Sequence, residues 1–264
     1  MIIYRLFITF LIIFSSLNIV RAQAPEDRGK EIAVEADRRD LGWHDNKSVS
    51  KMILRNKHGQ KSIRELRRLA FEINETGLGD KSLVIFDSPR DIKGTGLLSH
   101  TKILKPDDQW IYLPALKRVK RISSSNKSGP FVGSEFAYED LLSQEVDKYS
   151  YKFLGDEKCS NLECYKVERI PLYKNSGYTK QIIWWDKEEY RIQKIEFYDR
   201  KNSLLKTLVY SDYNQYLDNY WRANLLSMQN HQTGKSTDFI FESWEFGIGQ
   251  EESIFTANRL KRAR

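Results

Sequence analysis

The residues able to do chemistry in this chain are scattered. His44, His58, His100 and His231 each stand alone, in no H-E-x-x-H pair and beside no cysteine, so a metal hydrolase would lack its ligands and no metal site is expected. Ser134 follows Gly133 in FVGSEF without the second glycine of a nucleophile elbow, and reads as a turn or capping residue. Gly94 and Gly96 flank one threonine, but a strand pattern follows rather than a helix, so they read as a kink or bulge and not as a dinucleotide loop. The acid pairs Asp107-Asp108 and Glu139-Asp140 could in principle exchange protons. Neighbours in sequence point apart, however, and both pairs read as solvated loop carboxylates. No catalytic set and no cofactor motif emerge, and the chain is not expected to be an enzyme. A hydrolase would need a buried acid–base pair that the pattern does not display.

The two cysteines, Cys159 and Cys164, lie close together without the C-x-x-C spacing of a redox pair. Their compartment follows from the N-terminus. Arg5 precedes an apolar stretch over 6–20 that ends at Ala22-Gln23-Ala24, which reads as a secretory signal peptide over 1–24. The stretch is shorter than the ~20 residues of a membrane span, and Glu26, Asp27 and Arg28 follow at once; an uncleaved N-terminal anchor is the alternative. No cysteine stands at the cleavage site to accept a lipid. Export into an oxidising compartment favours a Cys159–Cys164 disulfide, which would staple a turn rather than hold the fold.

The chain of 264 residues, 40% hydrophobic and 12% aromatic, has ample material for a core and is neither disordered nor a disulfide-dense miniprotein. Its formal charge is +7, of which Arg5 and Arg21 contribute two, leaving +5 after cleavage. Part of this charge is concentrated in Lys117-Arg118-Val119-Lys120-Arg121, followed by a polar loop over 123–129 that reads as flexible. Export argues against nucleic acid as the partner. Lipid phosphates or an acidic protein surface fit the run better, and a strand edge blunted by lysine and arginine explains it equally well. The basic run 259–264 reads as a frayed tail.

Segment 25–40 opens with proline and acids and closes with arginines, which predicts a helix. Beyond Trp43 the hydrophobic period becomes two, and His58-Gly59-Gln60 predicts a hairpin turn into 63–73. In that second arm Ile63, Leu66, Leu69 and Ile73 also approach helical spacing, so local pattern leaves strand and helix open. Further strands are expected over 83–86, 96–104, 109–113, 149–154, 163–170, 178–185, 191–198, 204–213, 220–228 and 236–244. Short turns between several of them, with no long helical crossover and no linker, predict one curved antiparallel sheet in a mainly β (α+β) domain over 25–264. Ile182 and Trp184 lie on one face of their strand, Ile183 and Trp185 on the other. Both faces must therefore be covered, by an ordinary core or around an apolar cavity, and pattern does not separate these.

Three blocks carry a resemblance: PRDIKGTG from Pro89, WIYLPALKRVKRI from Trp110 and FVGSEFAYEDL from Phe131. With the cysteine hairpin, the 178–186 strand, IEFYD from Ile195 and FTxxxL from Phe255, they resemble the outer membrane lipoprotein-sorting proteins, related to the periplasmic carrier LolA. The likeness covers nearly all of the chain after the leader. It implies an incomplete β-barrel, with an N-terminal helix and a helical or loop lid closing an apolar concave face that binds lipid or lipoprotein acyl chains. It also implies transient membrane contact and an RND-type inner-membrane exporter as partner. On this basis Trp110, Tyr112, Phe131, Phe136, Tyr138, Trp184 and Trp185 are expected to line or gate a cavity, and Arg118 and Arg121 to meet anionic head groups. A free lipid or glycolipid could replace lipoprotein as cargo, because the 110–140 block and the basic run depart from the LolA carriers. An exporter adaptor with a dry, packed interior is the alternative.

Overall fold

In a computed structural model, the structure describes residues 23–262 apart from Thr76 and Leu104. The leader read at 1–24 lies outside the described residues but for Gln23 and Ala24. No helix among the described residues is long and apolar enough to cross a membrane.

The helix predicted near the N-terminus is α1, Pro25–Arg38, with Glu26 and Asp27 in its first turn and Arg38 in its last, each complementing the helix dipole. Thirteen strands follow: β1 Asp45–Arg55, β2 Lys61–Phe71, β3 Leu78–Ser88, β4 Gly96–Lys102, β5 Asp108–Leu113, β6 Arg118–Arg121, β7 Tyr149–Cys159, β8 Leu162–Pro171, β9 Lys180–Asp186, β10 Ile192–Tyr198, β11 Leu204–Tyr216, β12 Tyr220–Asn230 and β13 Ser236–Phe246. A four-residue helix, α2 (Ala257–Leu260), stands near the C-terminus.

All thirteen strands form one antiparallel sheet in the order β6-β5-β4-β3-β2-β1-β13-β12-β11-β10-β9-β8-β7. Strands β6 and β7 are consecutive in sequence yet lie at opposite edges, so the sheet curves without closing. Segment 122–148 has to travel from one edge to the other. It does so across the concave face, as short 3-10 turns at Ser124–Asn126, Phe131–Gly133, Tyr138–Leu141 and Val146–Lys148. Register settles the ambiguous arm: Leu66 pairs with Ser50 on β1 and with Phe86 on β3, which makes 63–73 largely strand. Leu66 is buried under the lid, whereas Ile63 is 52% exposed, as period-two alternation requires.

The concave face holds the main core. It gathers Met52, Leu66, Val84, Phe86, Leu97, Val167, Ile183, Trp185, Ile195, Phe197, Leu208, Met228 and Phe239 from the sheet, with Ile32 and Ala33 of α1 and Phe131 and Phe136 of the lid. Helix α1 approaches β7 so closely that a Cβ on Gly29 would stand 2.8 Å from the Phe153 backbone nitrogen.

On the convex face the C-terminal segment covers Leu83, Ile85 and Leu98 with Phe255 and Leu260. Within the run read as a frayed tail, the described residues up to 262 are anchored by Leu260, which is fully buried and lies over Gly96, where a Cβ would clash with it. The cysteines form the expected disulfide, with Cα atoms 5.9 Å apart, in the β7–β8 hairpin. The basic run proves to be mainly the edge strand β6, whose Arg118, Lys120 and Arg121 are exposed, as charged residues on an unpaired edge should be. The polar loop after it is not a free loop, because Lys127 is buried and its Nζ donates to the Asp107 carbonyl at 2.7 Å.

Candidate functional site

The lid is held down by buried polar contacts. Asp140 Oδ2 accepts from Lys206 Nζ of β11 at 2.7 Å and from the Ala137 backbone N–H at 2.7 Å, while Oδ1 accepts from the Tyr178 hydroxyl at 2.8 Å. Lys206 Nζ donates in addition to the Glu135 carbonyl at 2.8 Å and lies over the Tyr178 and Phe197 rings. Next to it, Glu139 accepts from Tyr173, Ser176 and the Gly177 backbone N–H, and burial, with Asp140 beside it, raises its pKa. The lid tip is tied to β12 and β13: Asn230 donates to Glu135 Oε2 at 2.7 Å, and the Glu135 N–H donates to Thr237 Oγ1 at 3.0 Å. Toward the other edge, Gln109 Nε2 donates to the Tyr138 carbonyl at 3.0 Å, and Lys148 pairs with Asp107.

These contacts correct the reading of the acid pairs as solvated carboxylates. Glu139 and Asp140 are buried anchors of the lid, and Asp107 holds two lysines. Sequence neighbours do diverge, but a segment crossing a concave face has protein on both sides. Ser134 is the turn residue expected, donating to the Phe131 carbonyl at 2.8 Å.

Under the lid lies a cavity of about 210 Å³, lined by Val84, Leu97, Phe131, Phe136, Leu141, Leu142, Leu208, Tyr210, Leu226, Phe239 and Phe241, with Arg68, Ser82, Asp140 and Ser143 as its polar members. Three of these residues, Phe136, Phe239 and Phe241, begin an aromatic row. Phe136 of the lid meets Phe239 edge-on, with ring centroids 5.9 Å apart; Phe239 stacks on Phe241 at 4.9 Å, Phe241 on Trp244 at 4.6 Å, Trp244 on Phe246 at 6.1 Å and Phe246 on Tyr220 at 6.3 Å. Glu242 is the extra residue of a bulge against β1, and it keeps Trp244 on the same face as Phe241. From Phe239 to Phe246 the row runs roughly 20 Å at ~3.3 Å per residue. Phe241, Trp244 and Phe246 are partly exposed, so beyond the cavity the row is a groove and not a sealed core.

Of the residues singled out in the sequence, the structure brings Phe131 and Phe136 to the cavity, with Tyr138 packed against Phe131 at 5.7 Å. Trp185 joins the concave core, and Trp184 lies on the opposite face with Ile182 and Cys164, its ring between Lys166 and Lys194. Trp110 and Tyr112 also face away from the cavity, under the C-terminal segment, where Trp110 meets His100 edge-on. Arg118 and Arg121 stand on the edge strand outside the cavity, and Arg121 pairs with Asp108. Sequence reasoning missed Phe239, Phe241 and Trp244, although alternate aromatics in TDFIF followed by a three-residue step to Trp244 mark both the strand face and its bulge. It also missed Arg68, which carries no local signal.

Two further acids stand at the end of the lid. Burial pushes Asp80 up to about 6, even though Ser143 donates to it at 3.1 Å. Burial, with Asp80 and Asp37 nearby, pushes Glu145 up to about 7.

A family model described as an uncharacterized protein matches residues 79–262, and no curated protein matches the chain. Among solved structures, an outer membrane lipoprotein-sorting protein domain from Vibrio parahaemolyticus is 54% identical, with a TM-score of 0.87 over 90% of this chain and 100% of that one. A DUF1329 family protein from Desulfovibrio piger is 28% identical, with a TM-score of 0.85 over 90% and 100% of the two chains. A LolA superfamily protein from Nitrosomonas europaea, 19% identical, shares the fold with a TM-score of 0.70 over 87% and 98%. With its curved, unclosed sheet, its helix and a lid across the concave face, the chain belongs to the outer membrane lipoprotein-sorting protein family, of LolA-like fold.

Proposed function

We propose that this protein is an exported carrier that shelters the acyl chains of a lipid or lipoprotein on their way through the periplasm toward the outer membrane, without a chemical step. The observation that carries this reading is the apolar cavity under the lid continuing into a partly exposed aromatic row. A monomer gains nothing by leaving a row of stacked aromatics half open unless something apolar covers it. At about 0.8 kcal/mol per buried methylene, a chain of ~16 carbons needs roughly 12 kcal/mol of shelter from water. The cavity is somewhat larger than the ~150 Å³ voids that hold a benzene ring, so it takes one end of such a chain while the row takes the rest. Arg118 and Arg121 on the edge strand would touch anionic membrane surfaces during loading and release.

The test is native mass spectrometry of protein purified from periplasm without detergent, followed by organic extraction of whatever is released. A stoichiometric acyl-bearing mass is expected, and Phe241→Glu should abolish it. A clean apo mass with no later uptake from liposomes would overturn the carrier reading and favour an adaptor of an RND-type exporter.

A further inference from the structure

Among the described residues the concave face contains two guanidiniums that no ion pair or hydrogen bond engages, that of Arg64 beside Gly133 of the lid and that of Arg68, and only Arg68 lines the cavity. Arg68, in the middle of β2, lines the cavity among Val84, Leu97 and Phe241. Among the described residues no ion pair or hydrogen bond engages its guanidinium, and burial pushes its pKa down to about 10. The charged groups near it are committed elsewhere. Asp80 accepts from Ser143 and from the Ile73 backbone, Arg222 pairs with Asp40 at 2.5 Å, and Asp140 holds Lys206. Its neighbour Arg67, on the opposite face of the same strand, is paired with Asp87. Holding a half-buried guanidinium beside phenylalanines without a counter-charge costs stability unless a partner arrives.

Beside this half-buried guanidinium lie two donors that are fully buried. Ser48 of β1 is directly opposite Arg68, and Trp244 of β13 is directly opposite Ser48, so the three side chains share one face of three adjacent strands. Ser48 Oγ and Trp244 Nε1 are both buried without a hydrogen-bond partner. Native proteins leave few such atoms, and their clustering marks a place where a polar ligand or water completes them. A guanidinium, a hydroxyl and an indole N–H are all donors, and what satisfies all three is an oxyanion. The amide oxygen of Asn46, two residues along β1 on the same face, is also unpartnered and would accept from a hydroxyl or water beside that anion. Trp244 is itself a member of the aromatic row, so the anion would lie where the row meets the cavity.

We infer that Arg68, Ser48 and Trp244 form an oxyanion-binding site inside the concave face, so that the cargo is an amphiphile whose carboxylate or phosphate lies against β2 while its chain occupies the cavity and the aromatic row. This rests on the carrier reading and narrows its cargo to anionic lipids.

The experiment is calorimetric titration of the full protein with dodecanoate, dodecyl phosphate and dodecanol below their micellar concentrations, with inorganic phosphate as a chain-free control. One charge-assisted contact predicts that both anions bind roughly tenfold to a hundredfold more tightly than the alcohol. In Arg68→Gln that ratio falls toward one, and Arg68→Lys retains part of it. Equal affinity for anion and alcohol in the native protein, or an unchanged ratio in Arg68→Gln, overturns the oxyanion site while leaving acyl binding intact. Inorganic phosphate binding as tightly as dodecyl phosphate overturns the assignment to a lipid head group. Binding of none of the amphiphiles overturns the carrier reading together with the site. If Arg68→Gln does not fold, Trp244→Phe removes one donor and keeps the ring; a several-fold drop in the ratio supports the site, and an unmoved ratio overturns it.

Discussion

Replacing Asp140 by asparagine should unlatch the lid at a large cost in stability. Asp140 and Lys206 are only 5% and 4% exposed at the side chain, with Oδ2 and Nζ 2.7 Å apart. Neutralising the acid leaves the ammonium buried without its counter-charge, with only neutral acceptors beside it, the Glu135 carbonyl and the amide oxygen of the new side chain. Stranding one member of a buried pair costs about 3–5 kcal/mol, a large share of the ~5–15 kcal/mol by which folded domains are stable. The double variant Asp140→Leu/Lys206→Met removes both charges at once and should recover most of that loss, since an apolar pair of similar size avoids the desolvation of two ions. Urea unfolding of the native protein, both single variants and the double variant gives the coupling energy, expected above 2 kcal/mol. Amide exchange should rise in the Asp140→Asn lid at Phe131, Ser134 and Tyr138, whose backbone N–H groups are hydrogen-bonded within it. A cost below 1 kcal/mol for Asp140→Asn, with no recovery in the double variant, would refute the argument that this ion pair holds the lid.

Three further outcomes follow from the geometry. Glu145 and Asp80 have folded-state pKa values raised to about 7 and about 6, so the folded form binds their protons more tightly than the unfolded chain does. Their contribution is most favourable at acid pH and is lost as pH climbs from about 4 to 7, so the melting temperature should fall across that window, and Glu145→Gln should flatten the fall. Gly29→Ala improves helix propensity by ~1 kcal/mol yet forces a Cβ to 2.8 Å from the Phe153 backbone; net destabilisation by about 1–2 kcal/mol in urea is expected, and net stabilisation would mean that α1 does not pack on β7 this tightly. Replacing both Cys159 and Cys164 by serine opens a short loop and should cost about 2 kcal/mol on the loop-entropy account, with an unchanged far-ultraviolet spectrum; loss of the folded spectrum would give the bridge a larger role than a turn staple.

The sequence alone determined much of the architecture. Period-two patterning from β1 to β13, the charge gradient of α1 and the turn at Gly59, which takes φ +80, are set by neighbours in the chain, and local physics suffices to read them. Which face a side chain serves was decided only by tertiary structure. Alternation places Trp184 and Trp185 on opposite faces without telling which is concave, and Trp110 turns toward the C-terminal segment because Leu98 and Leu83, its neighbours across the ladder, do. Bulges such as that at Glu242 shift the alternation within a strand, which is why Trp244 stays in line with Phe241. Ile63, Leu66 and Leu69 imitated a helix until pairing with β1 and β3 assigned them to two faces. The candidate site was the least legible part. Phe131 and Phe136 could be suspected from their motif, but the cavity exists because 122–148 must cross from edge β6 to edge β7. Arg68 gains its meaning only when Ser48 and Trp244, far away in the chain, come to lie beside it. Burial and register are properties of the assembled sheet, and no window of sequence contains them.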